Sequence, residues 1–252
     1  MRLLDEVIEA HGGLERWRAV ETISARVLTG GLLPRTRTPG DKLADARVTV
    51  SLDRPYTVFD PMPVAGRRGI FQGDCEAIAR TRTAVETMSG DLVVSREDPR
   101  SAFFGFSGLR RNFRWDALDT AYFAGYAMWN YLSFPLLLTL DGVGVEEGEE
   151  RTEDGDTWRS LRATFGADIP THSTKQTFWF DERGLLHRHD YTATVVSRLA
   201  AAAHLCDEHI EADGLIFPTV RRVVPRGPGG RALSGPTLIS LQVSDFDVTF
   251  ED

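Results

Sequence analysis

The feature that most constrains this chain is a stretch without charge. Residues 120–140 contain no Asp, Glu, Lys or Arg, yet they carry Tyr122, Phe123, Tyr126, Trp129, Asn130, Tyr131 and Ser133. A helix of that composition has no face suited to water and must be enclosed. Pro135 lacks an amide donor and crowds the preceding turn, so the helix over 117–134 ends there. At about 1.5 Å per residue it falls short of a hydrocarbon core of roughly 30 Å. Its enclosure is therefore protein, not lipid. Asp116 stands where an N-cap would accept from the first free amides and oppose the helix dipole.

The surroundings read mostly as strand. Alternating or continuous apolar runs occur at 22–28, 44–59 (one long strand ending at Asp60-Pro61-Met62-Pro63), 67–71 and 77–81. A hairpin joins 85–87 to 92–96 across Ser89-Gly90-Asp91. Further strands are expected at 143–147, 157–165, 174–180, 185–196, 204–211, 216–224 and 238–250. Compact Gly-bearing turns at 153–156, 181–184 and 212–214 fit an antiparallel meander, and 226–236 reads as a longer, mobile connection. Residues 98–109 read as a loop that folds Phe103, Phe104 and Phe106 inward. At the N-terminus, 3–18 is helical, with Leu3, Leu4, Val7 and Ile8 on one stripe and a break at His11-Gly12-Gly13. No alternation of helix and strand suggests a parallel sheet. The expectation is a β-rich α+β fold: a curved antiparallel sheet or half-barrel wrapped around a central aromatic helix, with an N-terminal helix. Residues 1–252 form one domain in this reading.

Bulk properties narrow the partners. The 252 residues carry a formal net charge of -8, which disfavours nucleic acid, since phosphate binding needs a concentrated basic surface. The arginines at 110, 111 and 114, and at 221, 222 and 226, read as solvated faces, with a phosphate or carboxylate clamp as the alternative. Two cysteines, Cys75 and Cys206, lie far apart and do not form a disulfide framework. The first residues include Asp5 and Glu6 without an apolar segment, so a cytoplasmic address is expected, with no membrane span, as monomer or homodimer.

Two kinds of candidate site follow. Tyr122, Phe123, Tyr126, Trp129 and Asn130, together with Phe104 and Phe106, are candidate ligand-binding residues. Phenol, indole and carboxamide tips need partners when buried, and either plain core packing or a small-molecule site supplies them. On the strand over 185–196, alternation places His187, His189 and Tyr191 on one face, with Arg188 and Asp190 on the other. On the next strand His204, Cys206 and Glu208 share a face, opposite His209. Acid–base chemistry would draw on His204 or His209, a carboxylate such as Asp190, Asp207 or Glu208, and the phenol of Tyr191 or Tyr126. No zinc-type spacing, nucleophile elbow or phosphate loop is present, so no metal and no cofactor are expected.

The opening Val7-Ile8-Glu9-Ala10-His11-Gly12-Gly13-Leu14-Glu15-Arg16-Trp17, running into 20–28, resembles the start of the lipoprotein carriers of the LolA and LolB type. Thr177-Phe178-Trp179-Phe180-Asp181-Glu182-Arg183-Gly184-Leu185-Leu186, with Asp190-Tyr191 beyond it, is similar to a hairpin of those proteins. The resemblance implies an open antiparallel barrel around helices, enclosing an apolar cavity for acyl chains. The expected function is binding of a hydrophobic or amphipathic small molecule between sheet and aromatic helix. The alternative is a cofactor-independent isomerase, cyclase or hydrolase acting on such a molecule.

Overall fold

A computed structural model of the chain describes residues 2–38, 40, 42–73, 81–104, 108, 113–153 and 155–251. Four helices are followed through it: α1 (Leu3–Ala10), α2 (Leu14–Arg18), α3 (Leu32–Arg37) and α4 (Ala117–Leu132). The strands are β1 (Val20–Gly30), β2 (Asp45–Ser51), β3 (Tyr56–Asp60), β4 (Arg67–Gln72), β5 (Arg82–Thr87), β6 (Leu92–Glu97) and β7 (Val143–Glu147). They continue as β8 (Arg151–Glu153), β9 (Asp156–Phe165), β10 (Lys175–Phe180), β11 (Leu186–Thr192), β12 (Ala201–Ala212), β13 (Leu215–Pro225) and β14 (Ile239–Phe250). Among the described residues they make one antiparallel sheet in the order β6-β5-β4-β3-β2-β1-β14-β13-β12-β11-β10-β9-β7, with β8 paired to β9. The last strand, β14, pairs with the first, β1, in the middle of the sheet, which stays open between its edges β6 and β7. This is the β-rich α+β fold that the strand pattern implies.

Helix α4, uncharged beyond Asp119, lies against the concave face, touching β2, β3, β4 and β5. Asp116 caps it: its Oδ1 accepts from the Asp119 amide at 2.8 Å, and Asp119 returns a bond to the Asp116 amide at 3.3 Å. Arg96 on β6 pins both carboxylates at 2.7 Å, so a buried acid sits at the positive end of the helix with a guanidinium beside it. Along the helix Gly125 permits the closest approach. A Cβ there would fall 2.2 Å from the Cβ of Phe71 on β4, and Thr57 on β3 donates to the Gly125 carbonyl at 2.9 Å. The helix stops at Leu132, ahead of Pro135, because that ring cannot continue the ladder.

The N-terminal break has a steric cause. Gly12 has φ 114°, and a Cβ on it would lie 2.3 Å from the carbonyl oxygen of Gly214. His11 and Trp17 are buried there, the Trp17 indole donating to the His11 carbonyl at 2.9 Å. Gly214 itself follows Asp213 in a two-residue turn, both at positive φ, which tightly joins β12 to β13.

Several local expectations are corrected. The run 44–59 is not one strand: it turns between Ser51 and Tyr56, and β2 pairs back onto β3. The strand over 185–196 ends at Thr192. A register shift where β10 pairs with β11 breaks the alternation, so His187 leaves the face of His189 and Tyr191 and packs against Trp158 at 4.2 Å between centroids. The connection after β13 is tied down rather than loose: the Gly230 carbonyl accepts from Arg151 at 2.9 Å and also from Arg188. Arg221 is buried, not solvated. Residues 77–80 of an expected strand, and Cys75, Phe106, Arg110 and Arg111, lie outside the described residues.

Candidate functional site

An apolar cavity of about 70 Å³ lies between α4 and the β1, β2 and β14 strands. Val27 and Val48 form part of its sheet wall, Ile239 and Leu241 the wall from β14. Helix α3 roofs it with Leu33 and Pro34, held over the opening because the Leu32 and Leu33 amides donate to the Thr237 and Leu238 carbonyls at 3.0 and 2.8 Å. The wall from α4 is a stripe at helical spacing: Thr120, Phe123, Ala124, Ala127, Met128 and Tyr131. Two alanines at its centre leave the space.

Of the candidate ligand-binding residues that are described, only Phe123 lines this cavity. Tyr122, Tyr126, Trp129 and Asn130 turn to different parts of the interior and find protein partners. Tyr122 accepts from Arg100 at 3.1 Å, Trp129 donates to the Ser51 carbonyl at 3.0 Å, and Asn130 donates to the Tyr126 and Pro170 carbonyls at 2.7 and 2.8 Å. Phe104 is 41% exposed, with the Arg100 guanidinium over its ring. The sequence signal for the true lining was the neighbouring stripe, where small residues replace the aromatics.

Tyr131 belongs to two environments. One side of it faces the cavity; its hydroxyl enters a buried polar cluster beyond. That hydroxyl lies 2.8 Å from Nε2 of His172 and 3.2 Å from the Tyr191 hydroxyl, while Tyr126 reaches His172 Nδ1 at 3.1 Å. His172 stacks on Tyr191 with centroids 4.0 Å apart. His189 stacks on Phe178 at 4.2 Å and bonds through Nε2 to the Gln176 side-chain oxygen. Burial is the main cause of every shift here. It lowers His172 to about 3 and holds His189 and His204 well below the usual imidazole range. It raises Tyr131, and lifts Tyr126 and Tyr191 well above the usual phenol range. Imidazoles stay neutral and phenols stay protonated.

The acid–base candidates divide among three places. Tyr191 and His204 share the buried interior, their rings 6.2 Å apart. Asp190 is on the opposite face of β11, held by Arg188 at 2.7 Å, Arg226 at 3.4 Å and the Trp179 indole at 3.1 Å, with no histidine on it. His209 is half-buried further along β12, where Nε2 donates to the Leu186 carbonyl at 3.1 Å. Asp207 and Glu208 are exposed. His204 is fully buried, and neither ring nitrogen has a partner among the described residues.

No protein-family model matches the chain, and no curated protein matches it. Solved structures do. A LolA superfamily protein from Nitrosomonas europaea aligns with a TM-score of 0.52 at 12% identity, over 99% of this chain and 93% of the other. The chain has a LolA-like fold. A DUF1329 family protein from Desulfovibrio piger aligns with a TM-score of 0.51 at 15% identity, over 98% and 91% of the two chains. At such identities the likeness is one of fold. In this LolA-like chain no described helix is long and apolar enough to cross a membrane.

Sequence alone assigned no role to Gln176 or His172, and it set Arg221 on a solvated face first and in an anion clamp second. His172 stands in the connection before β10 and has no periodicity to announce it. Arg221 did have a signal: it falls in phase with Leu215, Phe217 and Val223, which are all buried on β13.

Proposed function

We propose that the protein binds an apolar or amphipathic small molecule in the cavity between α4 and the β1, β2 and β14 strands. The observation that carries this reading is the stripe on α4, where Ala124 and Ala127 open space between the uncharged part of the helix and an apolar sheet wall. Core helices close such gaps, because interiors pack densely and voids cost stability. The carrier resemblance implies the same class of ligand. The reading treats 1–252 as one domain, supported by the continuous sheet. It also keeps the protein in the cytoplasm, supported by the free thiol of Cys206; subcellular fractionation tests that address.

The acid–base alternative has less support. A general acid or base works best with a pKa near the working pH, whereas burial drives the imidazoles and phenols of the cluster apart from it in opposite directions. Asp190 orients arginines and not an imidazole.

Native mass spectrometry of gently purified protein, with melting curves across a panel of acyl chains and alcohols, tests the binding reading. The expected result is a co-purified apolar ligand, or a rise in Tm that Ala127→Trp removes. A clean apo mass with no Tm response to any member overturns it.

A further inference from the structure

Two neighbouring rows of inward side chains run from the cavity into the polar cluster. Across the strands one row passes through Thr29, Leu241, Arg221 and Cys206. The other passes through Ile239, Val223, His204 and His189. Leu241 and Ile239 line the cavity, so Arg221 is the cross-strand neighbour of a lining residue. Tyr131, which also lines the cavity, has the Arg221 guanidinium 5.0 Å from its ring centroid and accepts from it through its carbonyl at 3.3 Å.

Arg221 is 2% exposed. Its other bond goes to Cys206 Sγ at 3.5 Å, and among the described residues no carboxylate stands within ion-pair distance. Cys206 does not neutralise it, because burial pushes that thiol up to about 11. A buried guanidinium without an anion is costly, and buried charges in proteins are ordinarily paired. Next to it His204 carries two buried ring nitrogens with no partner among the described residues, although buried polar groups are normally satisfied. Two adjacent deficits, one cationic and one polar, lie one and two strands beyond the lining residues Leu241 and Ile239.

We infer that the bound molecule is a monoanionic amphiphile, a carboxylate on an apolar tail, whose head pairs with Arg221 beside His204 while its tail fills the cavity. This rests on the reading of that cavity as the binding site. A guanidinium matches the two oxygens of a carboxylate in a fork, and the neutral His204 ring supplies a further N–H. The surrounding His172, His189 and His204 rings are uncharged, so Arg221 offers one positive charge and fits one negative charge better than the two of a phosphate monoester.

The test is calorimetric titration of delipidated protein at pH 8 with decanoate, decanol and decyl phosphate. The wild type binds decanoate roughly tenfold or more tightly than decanol, the size of one charged hydrogen-bonded contact. Arg221→Met removes the preference and leaves decanol binding in place, with a melting curve confirming that the variant is folded. Equal affinities of the wild type for acid and alcohol overturn the inference without any variant. Tighter binding of decyl phosphate than of decanoate overturns the carboxylate assignment. Binding of none of the three overturns the cavity reading itself.

Discussion

The hydroxyl of Tyr131 lies 2.8 Å from Nε2 of His172, and Tyr126 approaches Nδ1 of the same ring at 3.1 Å. A neutral imidazole has one donor and one acceptor nitrogen, so one phenol donates to the ring and the other accepts from it. The ring thus ties two turns of α4 to the segment before β10. His172→Phe keeps the shape, strands the Tyr126 hydroxyl and leaves the Tyr131 hydroxyl with Tyr191 alone. Leaving one buried hydroxyl unpaired costs about 1–3 kcal/mol, to be read from the urea midpoint. An unchanged midpoint would show that the network does not support α4.

The same burial makes stability pH-dependent. His11 is lowered to about 4 and His172 to about 3, both chiefly by desolvation, from an unfolded value of 6.5. Below pH 6.5 the unfolded chain takes up protons that the folded chain refuses, so this stability is complete above 6.5 and is lost as pH falls toward 4 and then 3. His172→Phe removes about one proton from the linkage, flattening the slope between pH 6 and 4 by up to roughly 1.4 kcal/mol per pH unit. Denaturation curves at several pH values check the sign and the difference. A variant slope equal to the wild-type slope would refute it.

Gly125→Ala sets two effects against each other. Alanine is favoured over glycine inside a helix by roughly 1 kcal/mol, yet its Cβ would meet Phe71 at 2.2 Å. Overpacking of this kind costs about 1–3 kcal/mol. A net loss of stability is expected, and a gain would mean that α4 does not press against β4 as described.

Arg96 is the bridge from β6 to both carboxylates at the start of α4. Asp119 is 2% exposed, so Arg96→Met removes a charged partner from a buried acid. A loss of roughly 2 kcal/mol or more is expected, larger than the fraction of a kcal/mol typical of exposed pairs. For comparison Arg26→Met, which breaks the exposed Arg26–Asp45 pair, is expected to cost well under 1 kcal/mol. Equal losses in the two variants would contradict the burial argument.

The outline of the molecule was legible because it rests on local chemistry. Absence of charge over 120–140, Asp116 as a cap, Pro135 as a stop and Asp213-Gly214 as a primed turn are each decided within a few residues. They dictate an enclosed helix and antiparallel hairpins. The site was less legible. The polar tips of Tyr122, Trp129 and Asn130 pointed to a pocket, but their partners came from β2, from the loop bearing Arg100 and from Pro170, which close them off.

What the sequence determined by itself was therefore the kind of element at each place and the need to bury α4. What only the tertiary structure decided was which stripe of α4 faces open space, and which side chains stand next to one another across strands. Arg221, Leu241 and Thr29 are far apart along the chain and become neighbours through the pairing of β13, β14 and β1. A one-residue change of register would send every side chain of a strand to the other face. The shift that turns His187 away from His189 is such a change, set by the pairing of whole strands and not by the residues beside it.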